Sequence, residues 1–204
     1  MAECPARTLA YSLHGNRYLN VTSRCTLRCA FCPKFSRQWT VQGYPLRLRE
    51  EAGCDELIEA AGDPAAFSAI VFCGLGEPLL YPETVLETAR RLRELGATRL
   101  RVNTDGLANR IHGGDLTPRL GERIDALSIS LNGHDAATYA HHCRPPFEGA
   151  FEAVLDFAAR AREHVAEVTL TAIDGLDGLD IGACEQLAQR LGTGFRARTL
   201  GQVG

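Results

Sequence analysis

Residues 17–32 read RYLNVTSRCTLRCAFC: a short β-like run, RYLNVT, leads directly into three cysteines, Cys25, Cys29 and Cys32, spaced C-x3-C-x2-C. Upstream, TLAYSLHGNRYLNVT alternates apolar and polar residues around Gly15 and Asn16, a turn pair, so the segment reads as a hairpin whose second arm feeds the cysteine loop. Thiolates hold iron-sulfur clusters, and a four-iron cubane normally takes four of them. Three leave one iron open. By the logic that separates closed structural zinc sites from open catalytic ones, that opening is a coordination site for a small molecule.

From the cysteine loop onward the pattern repeats. SAIVFC, TRLRVN, IDALSIS, EVTLTAI and FRART are short runs rich in β-branched or apolar residues, with segments of helical period between them. PETVLETARRLREL is the clearest helix: Pro82 suits the first helical position, Val85, Leu86, Ala89 and Leu92 form one face, and Gly96 closes the end. GAFEAVLDFAARAREH and DIGACEQLAQRLG supply two more. Strand, helix, strand implies an α/β fold with a parallel sheet and right-handed crossovers. A full eight-fold barrel needs about 250 residues. Six strands therefore predict a partial (β/α)6 TIM-like barrel behind an N-terminal hairpin, with residues 1–204 forming a single domain.

The chain has 204 residues, 45% hydrophobic and 23% charged, with a formal net charge of -3. That balance gives no general attraction to nucleic acid or to an anionic membrane. The N-terminal MAECPARTLAYS lacks the charged start and apolar segment of a signal peptide, and no run approaches the roughly 18 apolar residues of a membrane span, so the expected location is cytoplasmic. In a reducing compartment clustered cysteines bind metal rather than form disulfides. Cys4, Cys54, Cys73, Cys143 and Cys184 show no second close spacing and read as buried hydrophobes or surface thiols.

Active sites of parallel α/β folds gather at the carboxyl ends of the strands. Here those ends carry the cysteine loop, GLGEP, NTDG, SLNG and Asp174. Gly74 and Gly76 let backbone approach a ligand, and Glu77, fixed by Pro78, can accept hydrogen bonds from an amino group. Asn103 and Asp105 offer short acceptors suited to ribose hydroxyls, with Ser130 and Asn132 as further polar residues. An open iron, an amino acid grip and a ribose grip together describe S-adenosylmethionine (SAM) on a cluster.

The chain resembles the radical SAM superfamily: CTLRCAFC fits its CxxxCxxC motif with an aromatic residue before the last cysteine, and GLGEP resembles its GGEP motif. YLNVTSRC, NTDGLANRIHG and SISLNGHDAATYAHHCRPPFEGAFEAVLDFA further resemble the TatD-associated radical SAM proteins, small members linked to a TatD-type nuclease. The resemblance implies that Cys25, Cys29 and Cys32 bind a 4Fe-4S cluster and that SAM chelates the free iron. It places Phe31 near the adenine, Gly74, Gly76 and Glu77 at the amino group, and Asn103, Asp105 and Ser130 around the ribose. It also implies a flavodoxin- or ferredoxin-like electron donor, and a 5'-deoxyadenosyl radical that abstracts hydrogen from a substrate. Leu75 between the glycines and Asp105 in NTDG depart from the commoner pattern. The chain ends at GQVG without a cysteine-rich extension, which leads to the expectation of a barrel closed by a peptide, protein or RNA substrate.

Other readings stand beside these. A structural zinc knot needs a fourth Cys or His near Cys32 and finds only Lys34 and Phe35 after Pro33. His141, His142 and Cys143 in HHCRP read as a solvated helix end, Arg144 as a helix-terminal arginine, and Asp174, Asp177 and Asp180 as a solvated loop rather than a calcium site. Two competing functions are an activase that installs a glycyl radical on a partner, and a non-enzymatic redox or SAM-sensing module.

Overall fold

In the computed structural model, which describes residues 7–35 and 38–200, the expected hairpin is present as β1 (Ala10–Leu13) and β2 (Asn16–Asn20). His14 and Gly15 turn it, both at positive φ. Cys4 and the terminal GQVG lie outside the described residues. A two-stranded ribbon follows, β3 (Thr40–Val41) and β4 (Tyr44–Pro45), and then α1 (Cys54–Ala61). Neither was anticipated. The ribbon strands are two residues each, too short for a periodic signal, and α1 is marked mainly by its start, where the Glu56 carboxylate accepts from the Gly53 N–H at 2.9 Å.

The regular alternation then begins: β5 (Ile70–Cys73), α2 (Pro82–Glu94), β6 (Leu100–Thr104), α3 (Ala108–His112), α4 (Thr117–Gly121) and β7 (Ala126–Ser130). It ends with α5 (Ala136–Cys143), α6 (Ala150–His164), β8 (Glu167–Asp174), α7 (Ile181–Leu191) and β9 (Gly194–Thr199). Strand order in the main sheet is β1-β2-β5-β6-β7-β8-β9, and every neighbour pair from β2 to β9 is parallel. The six strands expected from the sequence are these six. Among the described residues β9 pairs only with β8, so the sheet stays open at that edge.

Side chains of β5 divide the molecule into two cores, because successive residues of a strand face opposite ways. Ile70 and Phe72 join Leu19, Val102, Leu127 and Leu170 under the helices, where α2 contributes Val85, Leu86, Ala89 and Leu92 as its periodicity requires. Val71 and Cys73 face the other side with Tyr11, Tyr18, Val41 and Leu46. Tyr11 and Tyr18 stack there with ring centroids 5.1 Å apart. Because β5 is buried on both faces, it reads as a continuous apolar run rather than an alternating one.

Candidate cofactor site

The cysteine loop leaves the carboxyl end of β2 and is held from three directions. Its exit toward the β3–β4 ribbon is fixed by Ser23, whose hydroxyl accepts from the Leu48 N–H at 2.7 Å, and by Lys34, whose ammonium donates to the Ser23 carbonyl at 2.9 Å. On the far side, the N–H groups of Arg28 and Ala30 donate to the carbonyls of Cys143 and His142 at 3.1 and 2.8 Å. These are carbonyls at the C-terminal end of α5, where a helix leaves acceptors free. Cys25, Cys29 and Cys32 are half-buried free thiols, and Cys25 and Cys29 rest against the helix-side core. Phe31 stands half-buried between the second and third.

The third brace is GLGEP. Gly74 sits at φ 150°, and a β-carbon there would lie 2.7 Å from the Thr22 carbonyl oxygen. A β-carbon on Gly76 would lie 2.5 Å from the same oxygen and overlap the Arg24 carbonyl. The close approach expected toward a ligand is therefore taken by the protein's own backbone, at Thr22 and Arg24 on the way into Cys25. The N–H of Glu77 completes the joint by donating to Arg24 O at 2.7 Å.

Glu77 also departs from its expected role. Its buried carboxylate accepts from the Leu79 N–H at 2.9 Å, the Thr104 hydroxyl at 2.8 Å and the Asp105 N–H at 2.6 Å. Both oxygens are engaged by protein donors, so its side chain ties the end of β5 to the end of β6. Burial drives its pKa well above the usual carboxylate range, and the neighbouring Asp105 adds to the rise. Asp105 itself is pushed up to about 6, chiefly by burial.

Several buried polar atoms at this end have no protein partner. They include Asn103 Oδ1, Tyr139 OH and Arg198 Nε. Leaving such atoms unpaired is costly, and in native proteins each calls for an explanation. Asn103 lies next to last in β6, in register with Ser128, while Ser130 ends β7 opposite Thr171. Asp105 raises the thiol pKa values of Cys25 and Cys29, and Cys29 interacts electrostatically with Arg198, so cysteines, acceptors and guanidinium share one region. For Cys25 and Cys32 the main cause of the raised pKa is burial; for Cys29 it is the hydrogen bond with Cys143. Metal binding to such thiols must displace protons.

Donor types here fit a cluster with SAM: three thiols, orphaned acceptors for an ammonium and hydroxyls, and a guanidinium for a carboxylate. Among the described residues no three His, Cys, Asp or Glu side chains converge on a single ion.

One correction concerns HHCRP. The end of α5 is only partly solvated: His141 is exposed, but His142 and Cys143 are buried, and His142 Nε2 donates to the Asp177 carbonyl at 2.8 Å. The pair forms a floor under the cysteine loop. Arg144 is exposed and caps α5 in the left-handed region, and Asp180 caps α7 by accepting from the Ala183 N–H at 2.9 Å. Arg198 and Tyr139 were missed from the sequence. Alternation along FRART would have put Arg196 and Arg198 on one face; nothing in HDAATYAHH marked Tyr139 as site-facing.

Against known proteins, the family model of the Radical SAM superfamily matches residues 19–191. The chain belongs to the radical SAM superfamily. The cofactors of that superfamily are a 4Fe-4S cluster and SAM. Among curated relatives, a GTP 3',8-cyclase of Mycolicibacterium smegmatis is 29% identical over 189 residues, covering 91% of this chain and 49% of that protein. A probable dual-specificity RNA methyltransferase RlmN of Synechococcus is 26% identical over 174 residues, covering 82% of this chain and 47% of the relative. The chain thus spans about half the length of the curated relatives it matches. Among solved structures, methylornithine synthase (PylB) superposes with a TM-score of 0.63 at 15% identity, over 91% of this chain and 53% of that one. Streptococcus suis SuiB bound to S-adenosylmethionine gives 0.63 at 14%, over 91% and 38%. Those likenesses establish the radical SAM partial barrel as the fold.

Proposed function

We propose that Cys25, Cys29 and Cys32 ligate three irons of the cluster, that SAM completes the fourth, and that the chain initiates a radical reaction on a substrate of its own. The observation that carries this reading is the braced cysteine loop beside buried acceptors and a guanidinium that no protein group satisfies. Bound there, the cluster and SAM supply one-electron cleavage of the sulfonium to methionine and a 5'-deoxyadenosyl radical, which takes hydrogen from the substrate.

The chain's own residues hold, orient and exclude. Asn103, Asp105 and Ser130 surround the ribose, Phe31 lies by the adenine, and Arg198 faces the methionine carboxylate. Gly74 and Gly76 serve by letting the cysteine loop pack, and Glu77 by fixing Asp105. In this reading neither Glu77 oxygen meets the ligand, and the amino group is held by backbone carbonyls of the GLGE segment. Burial of Asp105, and of the Asn103 Oδ1 and Arg198 Nε atoms, strengthens each contact by keeping water away.

The relatives' names, a nucleotide cyclase and an RNA methyltransferase, attach different chemistries to one core, so the core does not determine the substrate. We further place the protein in the cytoplasm, served by a flavodoxin- or ferredoxin-like donor. A TatD-type nuclease is proposed as its associate from the resemblance of SISLNGHDAATYAHHCRPP alone. Among the described residues no helix is long and apolar enough to cross a membrane.

The test is anaerobic reconstitution with iron and sulfide, then dithionite and SAM. Formation of 5'-deoxyadenosine supports the proposal; an intact cluster that yields none overturns it.

A further inference from the structure

The face of the sheet opposite the helices carries an unpaired basic row. Register runs from Val71 to Arg101 to Ala126, and separately from Ser130 to Thr171 to Arg196, with Arg198 opposite Ile173. Side chains alternate along each strand, so Arg101, Ser128, Ser130, Thr171, Arg196 and Arg198 share the face that Val71 and Tyr18 occupy at its start. Elsewhere Arg90, Arg91, Arg93, Arg99, Arg119 and Arg160 form ion pairs, and unpaired arginines such as Arg123, Arg144 and Arg190 are exposed to solvent. Among the described residues no carboxylate pairs with Arg101, Arg196 or Arg198.

Their hydrogen bonding is equally incomplete. Arg101 has one weak partner, the Tyr18 hydroxyl at 3.4 Å, and the Nε atoms of Arg101 and Arg198 are buried with none. Arg101 and Arg196 are close enough to repel, as are Arg196 and Arg198. Arg101 and Arg198 are half-buried and Arg196 is exposed, and gathering like charges with two of them partly withdrawn from water is unfavourable unless an anion joins them.

We propose that Arg101 and Arg196 receive an oxyanionic group of the substrate, a phosphate or a carboxylate, on the sheet face that also carries Arg198. Naming the ligand a substrate rests on the radical SAM reading above; the anion site itself needs no cluster. Guanidinium groups grip both kinds of oxyanion through paired N–H donors, and Ser128, Ser130 and Thr171 add hydroxyls on the same face. A net charge of -3 means that no general attraction substitutes for these residues.

Calorimetric titration of the full chain tests this, in cluster-free and reconstituted forms, with pyrophosphate and with citrate as probes. Saturable binding of at least one probe is expected, weakened about tenfold or more by Arg196→Gln and by Arg101→Gln, and restored in part by Arg196→Lys. Arg160→Gln, a surface control on the helix side, leaves affinity unchanged. Preference for pyrophosphate assigns a phosphate-bearing substrate, and preference for citrate a carboxylate-bearing one. Absence of binding by either probe, or binding indifferent to both arginines, overturns the proposal. Because the cluster-free protein carries the site, arginine-dependent binding with no SAM cleavage would fault the radical reading alone. SAM cleavage without arginine-dependent binding would fault the anion site alone.

Discussion

Gly76 lies directly against Arg24: a β-carbon on Gly76 would overlap the Arg24 carbonyl oxygen, and the next N–H, that of Glu77, donates to the same oxygen at 2.7 Å. The GLGEP segment and the entry to the cysteine loop are thus one joint, and the position of Cys25 depends on a missing side chain one strand away. Gly76→Ala should cost about 1–3 kcal/mol of stability through overpacking and lower the iron bound per chain on reconstitution. Gly114→Ala, with open space around its β-carbon, should change neither. Denaturant unfolding and iron analysis of the two variants check this; equal behaviour would mean that the joint does not control the loop.

Thiol identity is the second expectation. Cys25→Ala, Cys29→Ala and Cys32→Ala should each lose most cluster iron and its visible absorption. Cys143→Ala should keep them, although it removes a buried sulfur that bonds to Cys29 and costs on the order of 1 kcal/mol. Loss of iron in Cys143→Ala alone would reassign the ligand set.

Asp105 gives a pH dependence with a defined sign. Its folded pKa of about 6 lies above the ordinary 3.8, so between these values the folded state binds more protons than the unfolded chain. Stability from this group therefore rises as pH falls through about 6, and its ionisation is a penalty at neutral pH. Cluster-free Asp105→Asn, which removes the charge, should be more stable than wild type at pH 7.5. That advantage should shrink by on the order of 1 kcal/mol at pH 5. A pH-independent difference between the two proteins would contradict the buried-carboxylate account.

The six strands and the helix face of Val85, Leu86, Ala89 and Leu92 were legible because periodicity reports burial, and burial is what the two cores enforce. Cys25, Cys29 and Cys32 were legible because spacing alone carries ligand chemistry. The work of Gly74, Gly76 and Glu77 was not. A glycine beside a strand end looks the same whether it admits a ligand or a neighbouring backbone, and only the Thr22 and Arg24 carbonyls distinguish the two. Likewise the burial of His142 depends on the Asp177 carbonyl, 35 residues away, which no local pattern encodes.

Asn103→Ala probes the nucleoside side. Because Asn103 Oδ1 has no protein partner, its loss should leave the unfolding midpoint near that of wild type while weakening SAM binding about threefold to tenfold, the value of one hydrogen bond. Calorimetry of SAM binding beside thermal unfolding separates the two. A large fall in stability with unchanged SAM affinity would make Asn103 a structural residue.

The central claim is that three protein thiolates leave one iron of the cubane for SAM. Mössbauer spectroscopy of the 57Fe-reconstituted protein, with and without SAM, tests it most directly. The account predicts that SAM shifts the signal of a single iron site toward higher coordination and leaves the other three as they were. Four equivalent irons that do not respond to SAM would contradict it.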